Sequence, residues 1–134
     1  MKGAQDKRIW PGMFNGIGGH LEPDEAVSSC ASRELQEETG LTGISLQLCG
    51  VIHVDTSVNP GVVFFIFKGG YNEGILNQSA EGDLHWVDIH HLDEMELVSD
   101  LYKLIPRVTE WKPGDQIIFG RNYYSDGKMV TQYL

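Results

Sequence analysis

Residues 19–41 run Gly19-His20-Leu21-Glu22-Pro23-Asp24-Glu25-Ala26-Val27-Ser28-Ser29-Cys30-Ala31-Ser32-Arg33-Glu34-Leu35-Gln36-Glu37-Glu38-Thr39-Gly40-Leu41, an acidic helix pattern entered through a double glycine and left through another glycine. Pro23-Asp24-Glu25 is expected to open the helix, with acidic groups where the macrodipole favours them. Thr39-Gly40 is expected to close it, because glycine readily takes the left-handed conformation that ends many helices. At about 100° per residue, Val27, Cys30 and Ala31 share one side, and that side continues into Glu34, Glu37 and Glu38. Ser29, Ser32 and Gln36 lie opposite, toward solvent.

The apolar face therefore becomes acidic halfway along, which argues against a simple solvated, salt-bridged surface helix. Carboxylates that converge beside apolar surface repel one another and are costly to desolvate unless a cation neutralises them. Carboxylate oxygens are hard ligands suited to Mg²⁺, with Mn²⁺ as the alternative. Arg33 stands four residues before Glu37, the spacing of a helix ion pair worth only a few tenths of a kcal/mol.

The spacing Gly19-x5-Glu25-x7-Arg33-Glu34-Leu35-x-Glu37-Glu38-x-Gly40-Leu41 matches the signature of the Nudix hydrolases without substitution, and the chain closely resembles that family. A chance match at these positions is on the order of 10⁻⁸ at ordinary residue frequencies. The resemblance implies Mg²⁺-dependent cleavage of a diphosphate linked to another moiety, commonly a nucleoside. Carried over position by position, Glu34, Glu37 and Glu38 are metal ligands, and the backbone carbonyl of Gly19 is a further one. Glu34 or Glu38 helps to deprotonate the attacking water, and Arg33 orients a metal-binding glutamate. Glu25 supports the loop and Arg33.

Substrate-contacting residues lie outside the signature. Phe14-Asn15-Gly16-Ile17-Gly18-Gly19 resembles the corresponding segment in the branch that sanitises oxidised purine nucleoside triphosphates. That resemblance gives Asn15 a hydrogen bond to the base with Phe14 packed nearby; an asparagine serving a turn beside glycines is the competing reading. Asp100, in Leu97-Val98-Ser99-Asp100, resembles the acidic base reader of the branch, against a helix-start aspartate. Glu81, five residues before Trp86, matches a glutamate that approaches the metals on a mobile loop. Val54 and Thr56 fall where aromatics would line the base pocket, which weakens stacking. Trp10 lies close enough to the signature to be a pocket candidate.

Composition sets outer limits. A chain of 134 residues with formal net charge −9 is expected to form a single domain over residues 1–134. The acidic balance argues against a nucleic acid polymer as partner and leaves a nucleotide-type small molecule, arriving as its Mg²⁺ complex. Lys2, Lys7, Arg8 and Lys68 are phosphate contacts or ordinary surface charge. Cys30 and Cys49 offer neither a disulfide framework nor a zinc spacing and are expected as buried thiols. No apolar run reaches membrane-spanning length and no signal peptide is evident, so no membrane and a cytoplasmic location are expected.

The elements are ordered as an α+β fold, an α/β/α sandwich with a mixed sheet, requires. Met13 to Ile17 is a short strand or loop; Ile44 to Leu48 and Val51 to Val54 read as strand. Asn59-Pro60-Gly61 turns the chain into Val62 to Phe67, a continuous run of buried type. Gly69 to Ser79 is loop, Leu84 to Val87 a further strand, Ile89 and Leu92 a turn or short helix. Leu97 to Val108 reads as a second helix interrupted at Pro106. Gln116 to Phe119 and Lys128 to Thr131 flank the turn Ser125-Asp126-Gly127, a hairpin that packs on the sheet or forms a dimer contact. Only Met1 to Trp10 precede Pro11, where Nudix domains usually carry a strand or two, so an N-terminally short sheet is expected. An open edge invites association, so either a homodimer, with or without exchanged strands, or reduced stability is expected.

Three functions fit: a Mg²⁺-dependent nucleoside triphosphate pyrophosphohydrolase, the same chemistry on ADP-ribose, a nucleotide sugar or a dinucleoside polyphosphate, and a catalytically silent nucleotide-binding module. The complete set Glu34, Glu37 and Glu38 argues against silence.

Overall fold

The computed structural model describes residues 1–3, 13–57, 60–71, 76 and 82–134. The chain forms two compact units, one of Met1–Leu46 with Gly69–Val98, the other of Gln47–Lys68 with Ser99–Leu134.

In the first unit, β1 (Lys2–Gly3) pairs antiparallel with β4 (Gly82–Asp83). Phe14 bridges to both Lys2 and Leu97, donating its N–H to Glu96 O at 2.8 Å and accepting from Val98 N at 3.0 Å. α1 (Val27–Thr39) carries the signature. It starts later than Pro23: Asp24 sits at φ 62°, a left-handed conformation that breaks the helix, and Glu25 N–H bonds Glu22 O in a turn. Ala26 is the extended N-terminal cap, so no acidic residue occupies the first turn and the dipole argument for Asp24 and Glu25 does not apply. The C-terminal end is as expected: Gly40 takes φ 76° and its N–H bonds Gln36 O.

Leu84 to Val87 is not a strand. The ladder with β1 takes Gly82 and Asp83, and residues 84–88 pair with no strand among the described residues. Trp86 is exposed and stacks on Tyr71, rings 6.1 Å apart and 2° from parallel. A 3₁₀ segment, Ile89–Glu94, follows, with Asp88 accepting from His90 N at its start.

The second unit is a four-stranded mixed sheet of order β3-β2-β5-β6 with α2 (Leu101–Glu110). β2 (Gln47–Val54) pairs antiparallel with β3 (Val62–Lys68) and parallel with β5 (Ile118–Ser125). Ile44 to Leu46 precede β2 and stay outside it. The register slips between Leu48 and Gly50, making Cys49 the extra residue of a bulge. Cys49 is fully buried, and its thiol faces Ile66 O at 3.4 Å. β5 and β6 (Lys128–Tyr133) form the expected hairpin, with Asp126 and Gly127 at φ 50° and 73° as a tight two-residue hairpin loop allows. The hairpin extends the sheet.

β3 differs from its composition. Its run of valine and phenylalanine suggests burial on both faces, yet among the described residues it is an edge strand, and Val62, Val63, Phe64 and Phe65 are each 42–50% exposed. The second helix starts at Leu101, because the backbone of residues 96–98 is already engaged by Phe14, and it runs through Pro106 to Glu110. Leu104 and Trp111 are buried, each burial worth roughly 1.5–3 kcal/mol, and Trp111 Nε1 donates to Gln116 O at 3.0 Å. Among the described residues no helix is long and apolar enough to cross a membrane.

Candidate active site

α1 and the loop before it build a charged network around Arg33. Its guanidinium forks onto Glu25, Nε to Oε1 at 2.7 Å and Nη2 to Oε2 at 3.0 Å. Nη1 donates to Glu34 Oε1 at 2.7 Å and to Glu37 Oε2 at 3.1 Å. Nη2 also reaches His20 O at 3.2 Å and Cys30 Sγ at 3.6 Å. Such planar, bidentate recognition is what arginine supplies and lysine does not. One side chain thereby ties the loop at His20 and Glu25 to two acids of the helix.

The electrostatics follow from this arrangement. The Arg33 hydrogen bonds hold the Glu25 carboxyl down to about 2, with help from the Glu22 N–H. The same carboxylates push the Arg33 guanidinium upward, Glu25 first and Glu34 next. Burial raises the Cys30 thiol, and negative Glu25 adds to it. Cys30 is a buried free thiol that donates to His20 O at 3.5 Å.

Two glycines meet the acidic face directly. Gly18 N–H donates to Glu38 Oε2 at 3.2 Å, and Glu38 is 9% exposed. The Glu34 carboxylate lies where a Cβ on Gly19 would stand, its Oε2 2.6 Å from that position. Glycine is thus the residue that lets this loop backbone approach Glu34. Thr39, almost fully buried, accepts Leu41 N–H at 3.1 Å and fixes the exit of α1.

The structure gathers Gly18, Gly19, Glu25, Arg33, Glu34, Glu37 and Glu38 in the first unit. It does not close the three glutamates on one point: Glu34 and Glu37 turn to Arg33, Glu38 turns to Gly18, and Glu37 keeps 58% of its side chain exposed. Among the described residues no three His, Cys, Asp or Glu side chains are gathered at metal-holding distance. The donor set still fits a hard divalent cation, being carboxylate oxygens beside a glycine backbone.

Other sequence candidates have different settings. Asn15 is exposed and its Oδ1 accepts Gly16 N–H at 2.8 Å, the turn interaction. Phe14 packs edge-on to His85 at 5.3 Å. Asp100 belongs to the second unit, at the start of α2, where it accepts from Asn122 Nδ2 at 3.0 Å. Lys68 donates to Thr109 O and Trp111 O, which makes it a cap of α2 and not a free phosphate contact. Glu81 and Trp10 lie outside the described residues, as do Lys7 and Arg8. Sequence reasoning missed Gly18, whose only signal was the double glycine, and Asn122, for which a lone asparagine in a strand gives no local signal.

The NUDIX domain family matches residues 2–108. The chain is 29% identical over 99 residues to the oxidized purine nucleoside triphosphate hydrolase of Danio rerio, covering 73% of this chain and 64% of that protein. It is 29% identical over 100 residues to an NAD-capped RNA hydrolase of Vibrio atlanticus, covering 73% of this chain and 36% of that protein. The chain spans 36–64% of the lengths of these and a further curated relative. Its fold is similar to the crystal structure of the MutT protein from Bacillus halodurans, with TM-score 0.73, 25% identity, and coverage of 87% of this chain and 79% of that one.

Proposed function

The chain belongs to the NUDIX domain family, and from that premise we propose that it hydrolyses a nucleoside triphosphate, oxidised purine forms included, to the nucleoside monophosphate and pyrophosphate. Nudix hydrolases generally use divalent metal ions, and the proposed ion is Mg²⁺ with Mn²⁺ as substitute, held by Glu34, Glu37, Glu38 and the Gly19 carbonyl. A cation there supplies the positive charge that the acidic chain lacks and acidifies a bound water.

The observation that carries this reading is Arg33, whose guanidinium joins Glu25, Glu34, Glu37 and His20 O in one network. Its bonds set the rotamer of Glu34 against Gly19 and anchor the entry loop through Glu25. Glu34 or Glu38 takes the proton of the attacking water as its oxygen bonds phosphorus and the bridging P–O bond breaks. Glu81 supports the same step, and Phe14, Asn15, Asp100 and Trp10 contact the substrate.

Release of phosphate and pyrophosphate from a panel of normal and oxidised nucleoside triphosphates, ADP-ribose and dinucleoside polyphosphates, with and without Mg²⁺, tests the proposal. Mg²⁺-dependent pyrophosphate release from a triphosphate is the expected result. Turnover of ADP-ribose or a dinucleotide alone assigns the same chemistry to another diphosphate, a reading to which similarity to an NAD-capped RNA hydrolase lends weight. No turnover by folded protein leaves a nucleotide-binding module.

A further inference from the structure

β3 (Val62–Lys68) forms one edge of the four-stranded sheet among the described residues, with β2 on its inner side. An edge strand presents a row of backbone N–H and C=O groups to any strand that can reach it, and proteins ordinarily blunt such edges with charges, proline or bulges. β6, at the opposite edge, follows that rule. It begins at Lys128, carries Thr131 and Gln132, and keeps Met129, Val130 and Tyr133 half-buried. β3 does not. Pro60 stands before the strand and the bulge at Cys49 lies in β2. Val62, Val63, Phe64 and Phe65 are exposed in succession, so apolar side chains line both faces.

The single charge of β3 is no guard either. The Lys68 ammonium is taken up by Thr109 O at 2.8 Å and Trp111 O at 2.6 Å, at the end of α2. Acids are missing as well. The chain holds 19 Asp and Glu, yet from Thr39 to Asn72 it has one, Asp55, and none falls in β2 or β3. With net charge −9, two copies repel each other least where acids are absent. Depletion of charge with enrichment in aromatic side chains is also the composition of an interface core.

We propose that β3 pairs antiparallel with β3 of a second copy, joining two four-stranded sheets across a twofold axis. The strand suits its own copy. The register that pairs all seven residues sets Phe65 opposite Phe65, Phe64 opposite Ile66, Val63 opposite Phe67 and Val62 opposite Lys68. Apolar residues then meet across the new ladder on both faces. The two lysines stand at opposite ends, about 20 Å apart, beyond the range at which salt leaves exposed charges coupled. The guarded edge at β6 stops the assembly at two.

Sedimentation of the full chain over a range of concentrations tests the pairing. The expected result is a species of twice the chain mass that dissociates on dilution. Phe65→Lys and Phe65→Glu change an exposed position and should keep the fold by circular dichroism. Each alone should sediment as a monomer, because like charges then face each other. Mixed in equal amounts they should dimerise again, lysine opposite glutamate. A wild type that is monomeric at every concentration overturns the proposal, as do dimers of both single variants or open-ended oligomers. The wild type alone gives a second reading: outward amides of residues 62–68 should exchange hydrogen more slowly as concentration rises. Exchange that ignores concentration overturns the proposal and means that the edge is solvated or covered from within the chain. None of these readings needs turnover, so they stand apart from the proposed hydrolysis.

Discussion

Glu25 Oε1 accepts a 2.7 Å hydrogen bond from Nε of Arg33, and its second oxygen takes Nη2 of the same side chain at 3.0 Å. This fork clamps the turn at Pro23-Asp24 to the middle of α1 and holds the loop of Gly18 and Gly19 near Glu34 and Glu38. The Glu25 carboxyl is held at about 2 against an ordinary 4.5. A depressed acid contributes stability that is complete above the ordinary value and disappears as pH falls toward the folded one. The Tm difference between wild type and Glu25→Gln should therefore be largest near neutrality and shrink between about pH 4.5 and about pH 2. A difference that ignores pH would refute the pairing.

Arg33→Lys keeps the charge but cannot fork onto Glu25 while also reaching Glu34 and Glu37. Turnover should fall about 10–100-fold, with a smaller effect on Tm because Arg33 is partly solvated. Steady-state kinetics beside thermal melts separates the two effects.

Gly19→Ala places a methyl group on the Glu34 carboxylate. The carboxylate is the end of a flexible side chain and can move aside, so folding should survive. The displaced acid should lower kcat about 100-fold, as misplacement by an ångström can. A variant with wild-type kcat would remove Glu34 from the catalytic set.

Glu38→Gln keeps an oxygen for the Gly18 N–H while removing the charge. Its melting curve should match wild type, and hydrolysis should drop by roughly 10²–10⁴. Chelation of divalent ions should abolish wild-type turnover and Mg²⁺ should restore it. Unchanged turnover in Glu38→Gln would sink its assignment to the metal site.

Lys68→Met removes the ammonium that caps α2 through Thr109 O and Trp111 O. Stability should fall by about 1–2 kcal/mol, read from denaturant midpoints, with KM for nucleotide unaltered. A raised KM would return Lys68 to phosphate binding.

Local patterns carried much of this. The acidic side of α1, its glycine stop at Gly40, the Asp126-Gly127 hairpin and the signature from Gly19 to Leu41 are all features of one continuous stretch, and each was legible from spacing along the chain. The start of α1 was not, because the left-handed Asp24 depends on the Glu25–Arg33 clamp as well as on proline. Val62 to Phe67 reads as buried from composition, but side-chain burial depends on what packs over the faces of a strand, and Val62 to Phe65 are exposed.

The sequence by itself determined the family, the α+β class and the identity of the acids on α1, since those rest on spacing that a helix converts directly into a shared face. Tertiary structure decided how those acids are held: Arg33 takes Glu34 and Glu37, Gly18 takes Glu38, and Gly19 makes room for Glu34. It also decided that Asp100 pairs with Asn122, 22 residues away on another element. Hydrogen bonds between distant segments depend on three-dimensional direction, which periodicity along the chain does not encode.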